Sequence, residues 1–105
     1  MSKVSELYIT DHAEKRFRER AGLPKRLVVK NAAAALERGI SHAETSGQLR
    51  RYYDKLFRVN ETANNIRVYC GMVYIFRFDT LITVFPLPQK YRKTAALLAQ
   101  KKKRK

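Results

Sequence analysis

The stretch DHAEKRFRER, residues 11–20, holds side chains whose types and spacing suit phosphoryl chemistry. On a helix, His12, Arg16 and Arg20 fall four apart and line up, with Glu19 beside them. Cleavage of RNA by its own 2′-hydroxyl needs a base for that hydroxyl, an acid for the leaving oxygen and cations on the phosphorane charge. Imidazole, with an ordinary pKa of about 6.5, serves either proton role near neutrality. His42, in GISHAET, is the other histidine and could share the work, although nothing in the spacing makes the two meet. The same residues also have a plain reading. A lone histidine is often structural or a bystander, and arginine-rich helix faces are often only solvated.

Other chemistries find less material. The chain has no glycine-rich phosphate loop, no paired histidines at metal spacing and no cluster of carboxylates for a two-metal nuclease. No metal and no cofactor is expected, and any catalysis should be metal-independent.

The charge is the outlying property. Among 105 residues, 23 are Lys or Arg and 9 are Asp or Glu, a net +14. Such an excess selects polyanionic partners rather than a fold. Lys90, Arg92, Lys93, Lys101, Lys102, Lys103, Arg104 and Lys105 form a basic C-terminal segment with no acid, yet residues 1–89 are themselves in excess by six. The terminal KKKRK is either a solvated end or an electrostatic arm. Cys70 is the single cysteine, which excludes an intrachain disulfide and a cysteine metal cluster. No apolar run approaches the roughly 20 residues of a membrane span, and no signal-peptide core opens the chain. A cytoplasmic protein without membrane contact is expected.

The elements that must position these side chains follow from pattern. Thr10 or Asp11 caps a first helix, with Glu14 completing a capping box and Ala13, Phe17 and Ala21 forming its apolar stripe. Gly22 ends it, and Pro24 opens a second helix running to Gly39. Residues 40–63 read as a short helix or irregular turn, then a strand near 56–59 and a loop at 60–65. From Ile66 the period becomes two, predicting strands near 66–70, 72–78 and 80–86 with turns at Cys70-Gly71 and Phe78-Asp79-Thr80. A last helix follows Pro88. The fold expected is one α+β domain over residues 1–89: N-terminal helices on one face of a small antiparallel sheet of three to four strands. The basic helix and tail at 90–105 complete it.

With a two-residue turn at Cys70-Gly71 and two or four residues in the next turn, Ile66, Val68, Val73, Ile75, Ile82 and Val84 share one face, expected against the N-terminal helices. Arg67, Tyr69, Tyr74, Phe76, Thr83 and Phe85 make the other. That second face is either covered by the C-terminal helix or serves as a platform on which bases stack.

The form His-Ala-x-x-Arg-x-x-x-Arg in HAEKRFRER, a second helix and a meander ending YIF…LITVF together resemble the small RelE-like and BrnT-like proteins. These belong to the barnase–EndoU–colicin–RelE group of ribonucleases. The likeness covers roughly residues 8–88 and extends to small uncharacterised proteins of phages and mobile elements. It implies an antiparallel sheet against N-terminal helices and metal-free RNA cleavage through a 2′,3′-cyclic phosphate. His12 and Arg16 match the helix motif, and Arg67, Tyr69, Tyr74 and Thr83 fall at matching sheet positions. The long helical N-terminal half and the lysine tail depart from the pattern.

The expectation is a toxin-like, metal-independent endoribonuclease with His12, Arg16, Arg67, Tyr74 and Thr83 as catalytic groups. Arg20, His42, Tyr69, Lys90, Arg92, Lys101, Lys102 and Lys103 would hold RNA or another single-stranded nucleic acid. His12, Arg16 and Arg67 should converge where the first helix crosses a sheet edge. The alternatives are a non-catalytic nucleic-acid-binding or anti-defence protein, and a basic inhibitor docking on an acidic partner such as an antitoxin or host defence protein.

Overall fold

A computed structural model describes residues 7–22 and 25–103. Its elements are β1 (Tyr8–Ile9), α1 (Asp11–Ala21), α2 (Lys25–Arg38), a 3-10 turn (His42–Glu44), α3 (Gly47–Val59), β2 (Asn65–Tyr69), β3 (Met72–Arg77), β4 (Thr80–Pro86) and α4 (Gln89–Lys103). The class is α+β. The four strands lie in the order β1-β4-β3-β2, antiparallel except for β1, which runs parallel to β4.

Thr10, rather than Asp11, caps α1. Its hydroxyl oxygen accepts from the Ala13 N–H at 3.1 Å and the same hydroxyl donates to the Ile82 carbonyl at 3.2 Å, so one side chain starts the helix and ties it to β4. Gly22 closes the helix with φ 65°, its N–H on the Arg18 carbonyl at 2.9 Å, a left-handed cap that a side chain would strain.

The sheet is buried on both faces. Ala13 of α1 and Val28, Ala32 and Ala35 of α2 pack on Tyr74, Phe76, Leu81 and Val84. On the opposite face Leu49 and Tyr53 of α3 and Ala95 of α4 pack on Ile66, Val68, Val73 and Ile75. Each fully buried aliphatic side chain contributes about 1.5–3 kcal/mol. The face assignment expected from the sequence is therefore reversed. The aliphatic face of β2 and β3 meets α3 and α4, while the aromatic face meets the N-terminal helices.

A bulge in β4 explains the rest of the discrepancy. From the β3–β4 turn, Arg77 pairs with Thr80 and Phe76 with Leu81, but Ile75 pairs with Thr83 and Tyr74 with Val84. Ile82 is the extra residue. Because side chains alternate with period two, one inserted residue sends everything beyond it to the opposite face. Val84 thus joins Tyr74, and Thr83 joins Ile75. The Cys70-Gly71 turn is as expected: φ is 50° and 77° at its two residues, the doubly left-handed turn that suits a tight hairpin.

Residues 47–59 contain no strand. They form one helix whose Leu49 and Tyr53 are buried and whose Tyr52, Leu56 and Phe57 are half-buried on the same cluster. β1, the short parallel edge strand, has no counterpart in the sequence reading.

Candidate nucleic-acid interface

The expected catalytic residues do not gather. α1 packs over β4, at the side of the sheet where β1 pairs, whereas Arg67 lies on β2 at the other edge. His12 is exposed in the first turn of α1, with no bonding partner among the described residues. Arg16 makes an exposed ion pair with Glu19 at 3.8 Å, the kind of contact worth little. Arg67 is turned inward along the sheet: Nη1 donates to the Gly39 carbonyl at 3.0 Å and Nε to Asn65 Oδ1 at 3.1 Å. Tyr74 is 2% exposed beneath the N-terminal helices, where burial foremost, then the neighbouring Cys70 and Tyr69, push its phenol well above the usual range. It has neither the access nor the acidity for proton transfer to a substrate. Thr83, opposite Ile75, faces the α3–α4 side, not the Tyr74 side. Tyr69 is half-buried and packs with the α1–α2 cluster, so it offers no open stacking platform.

A different group does converge. After α2 the chain runs through Gly39 and Ile40, which bridges to Val68, and the 3-10 turn. The Tyr53 hydroxyl donates to the Ile40 carbonyl at 2.6 Å, and Lys102 Nζ donates to the Gly39 carbonyl at 2.9 Å and to Glu44 Oε1 at 3.0 Å. Burial favours the neutral acid at Glu44, but the Ser41 N–H and hydroxyl and the Lys102 ammonium outweigh it and lower its pKa. His42 Nε2 donates to Asp54 Oδ1 at 2.7 Å, and its ring packs edge-on to Phe57 at 5.9 Å. Arg67, His42 and Lys102 thus meet at one loop, in structural roles that bind α4 and α3 to the sheet. Among the described residues no group of three His, Cys, Asp or Glu could hold a metal ion.

Exposed cations without a partner among the described residues lie on both helical layers, Lys15, Arg18, Arg26 and Lys30 on one of them, and the larger excess is on α3 and α4. α3 and α4 together carry ten basic residues and one acid, Asp54, whereas α1 and α2 carry eight basic residues and four acids. With Leu49, Tyr53 and Phe57 turned to the sheet, Arg51, Lys55 and Arg58 recur at i, i+4 and i+7 on the solvent side of α3. All three are exposed and make no ion pair or hydrogen bond among the described residues. Tyr52 of α3 packs against Tyr91 of α4 with ring centroids 4.7 Å apart and the planes tilted by 31°. Lys90 lies 5.2 Å over the Tyr91 ring, Arg92 Nε holds the Leu87 carbonyl at 3.0 Å, and Lys93 and Lys101 are exposed without partners among the described residues. The side chains of Arg20 and Lys103, and residues 104–105, lie outside the described part.

Charge alone points to Lys90, Arg92, Lys101 and Lys102 on this layer, and of these Lys102 bonds to Gly39 and Glu44 and Arg92 to Leu87. Arg51, Lys55 and Arg58 form a row only on one continuous helix, whereas the sequence reads as a short helix or irregular turn and then a strand near 56–59; the helical spacing of Leu49, Tyr52, Tyr53 and Leu56 carries the signal.

No family model matches the chain, and neither a curated protein nor a solved structure matches it. Among the described residues no helix is long and apolar enough to cross a membrane.

Proposed function

We propose that the protein is a non-catalytic nucleic-acid-binding module that docks through the outer surface of α3 and α4. The observation that carries this reading is the row Arg51, Lys55, Arg58, exposed and without a partner among the described residues, on a layer holding ten basic residues and one acid. A helix face of that kind neutralises phosphates and releases their counterions, giving affinity that falls steeply with salt. The row is anchored by a buried opposite side, so its spacing is kept when it meets a polyanion. The ribonuclease reading needs His12, Arg16 and Arg67 in one place, and their separation takes away its support.

Binding to a labelled oligonucleotide across a salt series tests the proposal. The triple variant Arg51→Gln, Lys55→Gln, Arg58→Gln should lose up to about three units of the salt slope, because each phosphate contact contributes nearly one. Removing the same number of cations from α1, at Lys15, Arg16 and Arg18, should change the slope less. Equal losses from the two helices would leave a diffuse charge effect and no interface. Incubation with total RNA in EDTA covers the other reading: fragments with cyclic-phosphate ends, lost on His12→Ala, would restore the enzyme.

A further inference from the structure

Two aromatic rings stand unburied at the β3–β4 end of the sheet. Phe78 is 69% exposed and Tyr8 is 66% exposed, and the backbone brings Tyr8 to the turn that holds Phe78: the Tyr8 N–H donates to the Asp79 carbonyl at 2.8 Å, and Tyr8 pairs with Thr80. The Arg77 guanidinium lies 5.9 Å from the centre of the Phe78 ring.

The backbone at Phe78 makes the exposure harder to dismiss. Its φ is 54°, in the first central position of a two-residue hairpin turn, where glycine is the usual occupant. A bulky residue is costly in that region. Here the cost brings no packing in return, since the ring lies outside both core clusters. The conformation is held from below, by the Phe78 N–H donating to Asn64 Oδ1 at 2.8 Å and the Asn64 N–H donating to the Phe76 carbonyl at 3.1 Å. Strain maintained at an exposed position marks a site kept for something other than stability.

Asn64 also connects the tip to the cationic helix. The chain leaves α3 at Arg58 and Val59, turns through Asn60–Ala63 and reaches Asn64 at the hairpin. The end of α3 that carries Arg58 is therefore tied to the Phe78 turn by the short segment 60–64.

We propose that Phe78 and Tyr8, with Arg77, form a stacking site for unpaired bases, which makes the protein prefer single-stranded nucleic acid. The proposal rests on the reading of α3 and α4 as the phosphate-binding surface. Unpaired bases are the partner that the charge and the rings both accept: the chain's net +14 selects a polyanion, and every unstacked base offers a π-face to an aromatic ring or a guanidinium. A duplex keeps its base faces covered, so it engages the cations alone.

The test compares wild type, Phe78→Gly, Phe78→Trp and Tyr8→Ala on a single-stranded 12-mer and on the duplex of the same sequence at one salt concentration. Phe78→Gly should weaken single-strand binding by about 5- to 150-fold, the range that base–aromatic stacking spans, and leave duplex binding unchanged. The same variant should melt at a higher temperature than wild type, because glycine relieves the turn. Phe78→Trp should keep the single-strand affinity, and its indole, the sole tryptophan in the chain, should be quenched by the oligonucleotide. Tyr8→Ala should show a smaller loss of the same kind. Unchanged single-strand affinity in Phe78→Gly, equal losses on both ligands, or a lower melting temperature would overturn the stacking site while leaving α3 and α4 as the binding surface. A wild-type protein that binds neither ligand would overturn the nucleic-acid reading itself.

Discussion

Arg67 and Lys102 donate to the same acceptor, the Gly39 carbonyl oxygen, at 3.0 and 2.9 Å. Two cations on one carbonyl repel each other, and the arrangement holds because of where that carbonyl is. Gly39 directly follows the last turn of α2, the partially negative end of a helix, and Glu44 takes the same ammonium at 3.0 Å. The contact joins the end of α2, the edge strand β2 and the last turn of α4. It is a structural use of two residues that charge alone assigns to a polyanion.

Arg67→Ala should therefore act on stability. Hydrogen bonds from a charged donor contribute about 1.5–3 kcal/mol, and a loss of that order is expected in urea unfolding. Arg67→Lys should recover only part of it, since an ammonium cannot span Gly39 and Asn65 as the planar guanidinium does. Nucleic-acid affinity of the folded variant should stay within a single phosphate contact of wild type. A stable Arg67→Ala protein with binding abolished would return Arg67 to the functional surface.

Gly39 itself has no room for a side chain. A Cβ there would lie 2.5 Å from the Ala35 carbonyl oxygen and 2.8 Å from Arg67 Cβ, and the first of these neighbours is backbone that cannot swing away. Gly39→Ala should destabilise by about 1–3 kcal/mol or more, as overpacking does. Gly22→Ala is the informative contrast: the space there is open, so any cost comes from its φ of 65° alone.

Glu44 gives the Lys102 contact a pH dependence of definite sign. Its pKa in the fold is lowered, as the Ser41 N–H and hydroxyl and the Lys102 ammonium overcome the effect of burial. A depressed carboxyl contributes stability that is fully present above its unfolded pKa and is lost as pH falls through the folded value. Wild type should be more stable than Glu44→Gln at pH 7, and the gap in melting temperature should close below the ordinary carboxylate range. Glu44 is partly exposed, so added salt should narrow the gap as well. A gap that widens on acidification would show that Glu44 does not hold Lys102.

How far the sequence carries the fold is decided residue by residue. Thr10, Gly22 and the Cys70-Gly71 turn are local devices, each readable from a few neighbours, and the helix and two strands they bound are where the sequence places them. The α3 segment defeats that reading because YYDKLFRV has aromatic and β-branched residues suited to a strand, while Tyr53 and Leu49 owe their helical placement to tertiary packing. β1 spans two residues whose pairing partner lies some seventy positions away, so no local pattern announces it. The site was lost for related reasons. A line from His12 to Arg67 looks short only when the edge order is unknown, and Arg67 looks free only when Gly39 is not in view. In the sequence Phe78 is only a turn residue, since no pattern distinguishes an exposed ring from a buried one.

The faces of the sheet supply the final prediction. Ile82 is unpaired between Leu81 and Thr83, and this one residue places Val84 under α1 and α2, fully buried against Ala13, Val28 and Tyr74. A carboxylate at that position would lie among apolar side chains with no water to solvate it, which costs more than a domain of this size has in reserve. Val84→Asp should be unfolded by circular dichroism at 25 °C. Thr83→Val should fold normally, because Thr83 is only half-buried and its hydroxyl makes no bond among the described residues. The sheet is covered on both sides, so Val73→Asp, under α3 and α4, should unfold the protein as Val84→Asp does. If Val84→Asp melted cooperatively near the wild-type temperature, Val84 would not lie in the core under α1 and α2.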